Sequence, residues 1–157
     1  MLSYLDVLLR GALYAAVCLA AGGAVWSQLV LRVSARGKLH GAARIALTTV
    51  AGAAWSAAAL QAAVMLMVLA NLGGASATLP VGAYLATSFA RAATLRVTLS
   101  LLLGVLAIRC SKRTMTATTS LGLTALAVGL VVSGAFVSHA AARLDNRTVL
   151  MSLDALH

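Results

Sequence analysis

The sequence predicts an all-α membrane protein, a bundle of four transmembrane helices, and three observations predict it. Hydrophobic residues make up 62% of the chain and charged residues only 10%, against about 45–50% and about 25% in a soluble domain. Four apolar runs reach the roughly 20 residues that a helix needs to cross a bilayer. The basic residues gather between the runs. Seven of the twelve fall in two clusters, Arg32, Arg36, Lys38, Arg44 and Arg109, Lys112, Arg113. A chain of 157 residues has too little interior to hide so much apolar surface from water, so lipid is the solvent it suits.

The first run covers about residues 5–31. Its start carries Asp6 and Arg10, and the apolar stretch from Gly11 to Leu31 is long enough to span. A cleaved leader has a shorter apolar core, so this run is read as a retained helix. The second covers 45–70 and the third about 82–108, with Arg91 and Arg96 inside it. Asn71, Gly73, Gly74 and Ser76 make a turn before the third run, and Pro80 sits there without harm because no helical bond needs its N–H. The fourth run covers 117–139, within the segment LGLTALAVGLVVSGAFVSHAAA that ends at Ala142. Residues 1–142 therefore form the bundle. Residues 143–157 form a tail whose last residues, LDALH, read as the cut-off start of a further helix or as a last turn at the membrane surface.

Charge sets the orientation. A net charge of +9 would suggest nucleic acid in a soluble chain. Here the basic residues flank spanning helices, and such loops stay on the cytoplasmic side. Nucleic acid is therefore not an expected partner; the lipid bilayer is. The loops after runs one and three belong inside. The N-terminus, the 71–80 loop and the C-terminal tail belong outside, and that loop contains no Lys or Arg.

Small residues recur every four positions, as Ala12, Ala16, Ala20 and Ala24 in the first run and Ala54, Ala58 and Ala62 in the second. Gly122, Gly129 and Gly134 serve the fourth run similarly. Such stripes let helix backbones approach closely in lipid, and plain packing explains them. Trp26 and Trp55 are read as inner-interface residues and Tyr4 as an outer one. Cys18 and Cys110 are expected at different heights, which disfavours a disulfide. No paired Cys/His spacing supports structural zinc. Enzymatic chemistry is not expected, because no serine sits in a glycine elbow, no glycine loop cradles a phosphate, and acids are few.

Four kinds of residue carry possible chemistry. Arg96 lies about 7.5 Å deeper than Arg91 at the helical rise. An intramembrane charge is costly and is a functional candidate by default. The plain alternatives are snorkelling to the headgroups or a structural pair with Asp6. His139 closes the fourth run between small neighbours, where an imidazole could ligate a metal; a lone helix-end histidine is more often interfacial. Asp154 and His157 share a face if the tail is helical, with Met151 one turn earlier, and thioether plus imidazole suits copper. Met65 and Met67 could extend a soft-ligand path but are more simply filler. His40 reads as a solvated histidine of the inner basic loop.

These motifs resemble the copper resistance D family of bacterial inner-membrane proteins. The segment TSFARAATLRVTLSLLLG, with Thr87 and Arg96, is similar to that family's third helix, although Ala90 and Ala93 stand where it has glycine and tryptophan. SHAAA resembles its small-residue, histidine, alanine run, and LDALH its aspartate-to-histidine segment. The similarity covers most of the chain as an N-terminal half. It implies copper transport, uptake or resistance at a periplasm-facing site, with His139 and His157 as metal contacts and Asp154 and Arg96 in support. It places the chain in the bacterial inner membrane with both termini periplasmic, and other membrane protein subunits as partners. Two rival readings stand beside it. One is an accessory subunit of a larger, respiratory-type membrane complex with no ligand of its own. The other is a b-type haem bundle with His139 and His157 on the iron.

Overall fold

The structure, a computed structural model, describes residues 2–33, 40–73, 81–112 and 115–137. Its elements are α1 (Leu2–Val33), α2 (His40–Gly73), α3 (Val81–Ala86), α4 (Ser88–Lys112) and α5 (Ala117–Val137), with no strand among the described residues. Four of these helices are long and apolar enough to cross a membrane: Tyr4–Leu29, Gly41–Asn71, Ser88–Lys112 and Ala117–Gly134 within them. The chain is thus an integral membrane protein of the class its composition predicts.

The spanning helices form a closed ring. Helix α1 packs on α2, α2 on α4, α4 on α5, and α5 back on α1. Close pairs fix the register. Gly23 of α1 faces Val50 of α2, and Trp55 of α2 lies over Gly104 of α4. Gly122 and Gly129 of α5 face Leu106 and Leu99 of α4. Residue numbers rise along one helix as they fall along its neighbour, so adjacent helices run antiparallel. The ends Val33, His40, Lys112 and Ala117 share one end of the bundle, called here the basic end.

The seams follow the alanine spacing. Ala16, Ala20 and Ala24 of α1 are buried, as are Ala51, Ala54, Ala57 and Ala58 of α2. Leu103, Leu123 and Leu130 fill the space between the seams. Large apolar side chains such as Tyr14, Leu19, Leu66, Leu101 and Val128 point outward, as expected where the surrounding solvent is lipid. Ala12 is exposed and Ala62 only half-buried, so each stripe is used at its middle.

Several boundaries differ from the sequence expectation. The third run is two helices, α3 and α4, broken at Thr87. The Thr87 hydroxyl accepts from the Ala90 N–H at 3.1 Å and donates to the Tyr84 carbonyl at 2.6 Å. That is N-cap geometry; the capping side chain starts a new helix inside an apolar run. Helix α5 begins with a reciprocal cap, in which Thr119 N–H donates to Thr116 Oγ1 at 3.2 Å and Thr116 N–H to Thr119 Oγ1 at 2.9 Å. His40 opens α2 and Arg44 lies exposed within it, so both belong to a helix and not to a loop. Trp55 sits near the middle of α2, packed on Gly104, and is no interfacial marker. The turn at Gly74, Ser76 and Pro80 lies outside the described residues.

Candidate functional site

Helix α4 buries a face made of Ala90, Ala93, Arg96, Ser100, Leu103, Gly104, Ala107 and Cys110. These positions recur at three- and four-residue steps, which is one side of a helix. Among them stands one cation. Arg96 is 2% exposed, and it lies about 12 Å into α4 from Ser88 by helical rise, in the half of the bundle away from the basic end. The room it needs comes from its small neighbours. On α5, a methyl added to Gly134 would stand 2.5 Å from Arg96 Nη2, so only a glycine lets the guanidinium lie against that helix undisturbed.

Arg96 of α4 lies against both neighbouring helices, α2 and α5. Its Nη1 donates to Oε1 of Gln61 on α2 at 3.3 Å. Gly134 of α5 lies against Nη2. The Tyr14 phenol of α1 is near enough to interact with it electrostatically. Snorkelling therefore does not describe this side chain: it turns into the ring, where lipid headgroups do not reach. Arg91, one and a half turns earlier, is exposed.

The expected partner is not its partner. Asp6 is held by Arg10 on its own helix, Nε to Oδ1 at 2.8 Å, an i,i+4 pair. Asp6 is the one carboxylate side chain among the described residues. The guanidinium thus has a neutral amide acceptor, and its Nε, buried, has none. Ser100, one turn further along the same face and fully buried, has a hydroxyl without a hydrogen-bond partner. Ser133 on α5 is buried too, but it donates to the Leu130 carbonyl at 2.7 Å.

A second polar layer lies toward the basic end. Ser120 of α5 donates to Gln28 Oε1 of α1, joining the first and last spanning helices. Ser27 beside it donates to the Ala24 carbonyl at 2.8 Å. Between the two layers the interior is apolar, filled by Ala20, Ala54, Leu103, Leu123, Ala127 and Leu130. No continuous polar track joins Gln28 to Arg96 among the described residues. On the short α3, Tyr84 is buried against α4 near Phe89, with ring centroids 6.4 Å apart. Its hydroxyl has no partner, and desolvation pushes its phenol above the usual range.

The residues expected to bind metal, His139, His157, Asp154 and Met151, lie outside the described residues, and only Arg96, expected to support them, is placed. Met65 and Met67 are half-buried along α2. Among the described residues no three His, Cys, Asp or Glu side chains gather as a metal site would require. The haem reading rests on the same two histidines and lies outside them as well.

Gln61, Ser100 and Tyr14 did not stand out in the sequence, and Gly134 was read only as a packing glycine. Gln61 carried a signal: a glutamine deep in an apolar run is a polar group that seeks an interhelical partner. No family model matches this chain, and no curated protein or solved structure matches it.

Proposed function

We propose that this chain is an ion-handling membrane protein in which Arg96 is the fixed charge of the bundle interior and copper is the ion held at the rim. The observation that supports an ion-handling role is the burial of Arg96 between α2 and α5 in the bundle interior. Charged residues that face a bundle interior commonly belong to ion or substrate pathways. The identity of the ion comes from the resemblance to copper resistance D proteins. In this reading His139 and His157 contact copper, with Asp154 and Met151 supplying a carboxylate and a thioether, on the periplasmic side of the bacterial inner membrane. A guanidinium buried in the bundle repels a second cation there. Copper is therefore handled at the rim or passed to another subunit, and does not travel down the centre of this bundle.

The test is the copper content of cells and of purified protein. Wild type is compared with His139→Ala/His157→Ala and with Arg96→Gln. The proposal expects loss of bound copper in the double variant. In Arg96→Gln it expects copper still bound at the rim, with altered cellular accumulation. Equal copper in wild type and the double variant rejects the copper assignment. Accumulation in Arg96→Gln equal to wild type rejects the role given to Arg96.

A further inference from the structure

We infer that Arg96 and Ser100 form the donors of a binding site for a small inorganic anion of halide type within the bundle, a site that does not depend on the copper reading. An arginine stays protonated under any ordinary condition, and an uncompensated charge in a low-dielectric interior is costly. Its five N–H groups are donors and accept nothing. One of them meets Gln61 Oε1 at 3.3 Å. The Nε is buried with no acceptor among the described residues, and so is the Ser100 hydroxyl on the same face of α4. These are two unpartnered donor groups on side chains 2% and 0% exposed. Around them the chain offers an amide oxygen and a glycine, and no carboxylate among the described residues, because Asp6 is committed to Arg10.

The shortage is of acceptors and of negative charge together, and an anion supplies both. Tight burial sets the size. With Gly134 close against Nη2, a compact monovalent ion fits the setting better than a phosphate or an organic acid. The Gln61 oxygen accepts from Nη1, which leaves Nε free for another acceptor.

The experiment uses the full chain in mild detergent. Thermal unfolding is followed in sodium chloride, sodium bromide and sodium gluconate at equal ionic strength. The proposal expects chloride and bromide to raise the Tm over gluconate by roughly 3 °C or more, because a ligand bound only to the folded state stabilises it. Ser100→Ala is expected to fold, and to raise the halide concentration for half-maximal effect roughly tenfold, since a hydrogen bond to a charged group is lost. Arg96→Gln is expected to show no halide dependence. Three outcomes overturn the proposal. One is an equal Tm in all three salts. Another is a halide effect that Ser100→Ala and Arg96→Gln leave unchanged. The third is a halide effect that is absent from the wild type and appears only in Asp145→Asn or Asp154→Asn, which would make the counter-charge the chain's own. These readouts involve no copper, so their failure leaves the copper assignment to its separate test.

Discussion

Arg96 and Gln61 lie 35 positions apart in sequence and meet inside the membrane-spanning bundle, with Nη1 donating to Oε1 at 3.3 Å. The contact ties α4 to α2 at the level where Gly134 of α5 presses on the same guanidinium. It is the one side-chain hydrogen bond that Arg96 makes among the described residues. The consequences of removing either partner are therefore unequal, since one removal strands a charge and the other strands only an amide.

Gln61→Leu takes away the acceptor and leaves a buried cation with none. The expected loss is about 1.5–3 kcal/mol of stability, the range for hydrogen bonds to charged groups. Arg96→Met removes the charge and its desolvation cost, so it is expected to cost less. The double variant Gln61→Leu/Arg96→Met is expected to be more stable than Gln61→Leu alone, a non-additivity that a double-mutant cycle measures. Unfolding of all four proteins in one mild detergent checks it. Strict additivity would mean that the two side chains do not interact.

Gly134→Ala tests the space on the other side. The added methyl would stand 2.5 Å from Nη2, so the guanidinium must move and lose alignment with Gln61. Overpacking of this kind costs about 1–3 kcal/mol. The penalty is expected to vanish in the Arg96→Ala background, where nothing occupies that position. A penalty equal in both backgrounds would assign it to the backbone of α5 and not to Arg96.

How much of this was legible follows from what each feature depends on. The four spans rest on composition summed over long windows, and such sums are robust to single residues. The seams could be read from Ala16, Ala20, Ala24, Ala54 and Ala58 because a four-residue step is a property of one helix alone. The break at Thr87 was missed because hydropathy does not register a hydroxyl that caps. Trp55 was misplaced because an aromatic in an apolar run reads as an interface, while its partner Gly104 is 49 positions later (104 − 55). Arg96 was noticed as a charge, but its surroundings depend on which helices are neighbours in the ring. Nothing in a single run of sequence encodes that Gln61 and Gly134 come together around it.

The cap at Thr87 gives a local prediction. Its hydroxyl satisfies the Ala90 N–H at the start of α4 and also donates to the Tyr84 carbonyl. Thr87→Ala is expected to cost about 1 kcal/mol, and Thr87→Ser to cost a fraction of that, because only the alanine lacks the oxygen. Amide hydrogen exchange at Ala90 is the direct readout, with faster exchange in Thr87→Ala and near wild-type exchange in Thr87→Ser. Unchanged protection in the alanine variant would show that the helix start does not rely on this side chain.

The orientation prediction uses two exposed glycines at opposite ends of the bundle, Gly41 near the start of α2 and Gly82 in α3. Neither has any heavy atom within 4 Å of an added Cβ, so a cysteine at either place should be tolerated. The basic cluster beside Gly41 is expected to hold that end in the cytoplasm, because Lys and Arg resist translocation. In intact cells expressing a background of Cys18→Ala and Cys110→Ala, a membrane-impermeant maleimide should therefore label Gly82→Cys and spare Gly41→Cys. Permeabilising the cells should expose Gly41→Cys as well. Labelling of Gly41→Cys in sealed cells would invert the topology, and Arg96 would then lie toward the cytoplasmic face.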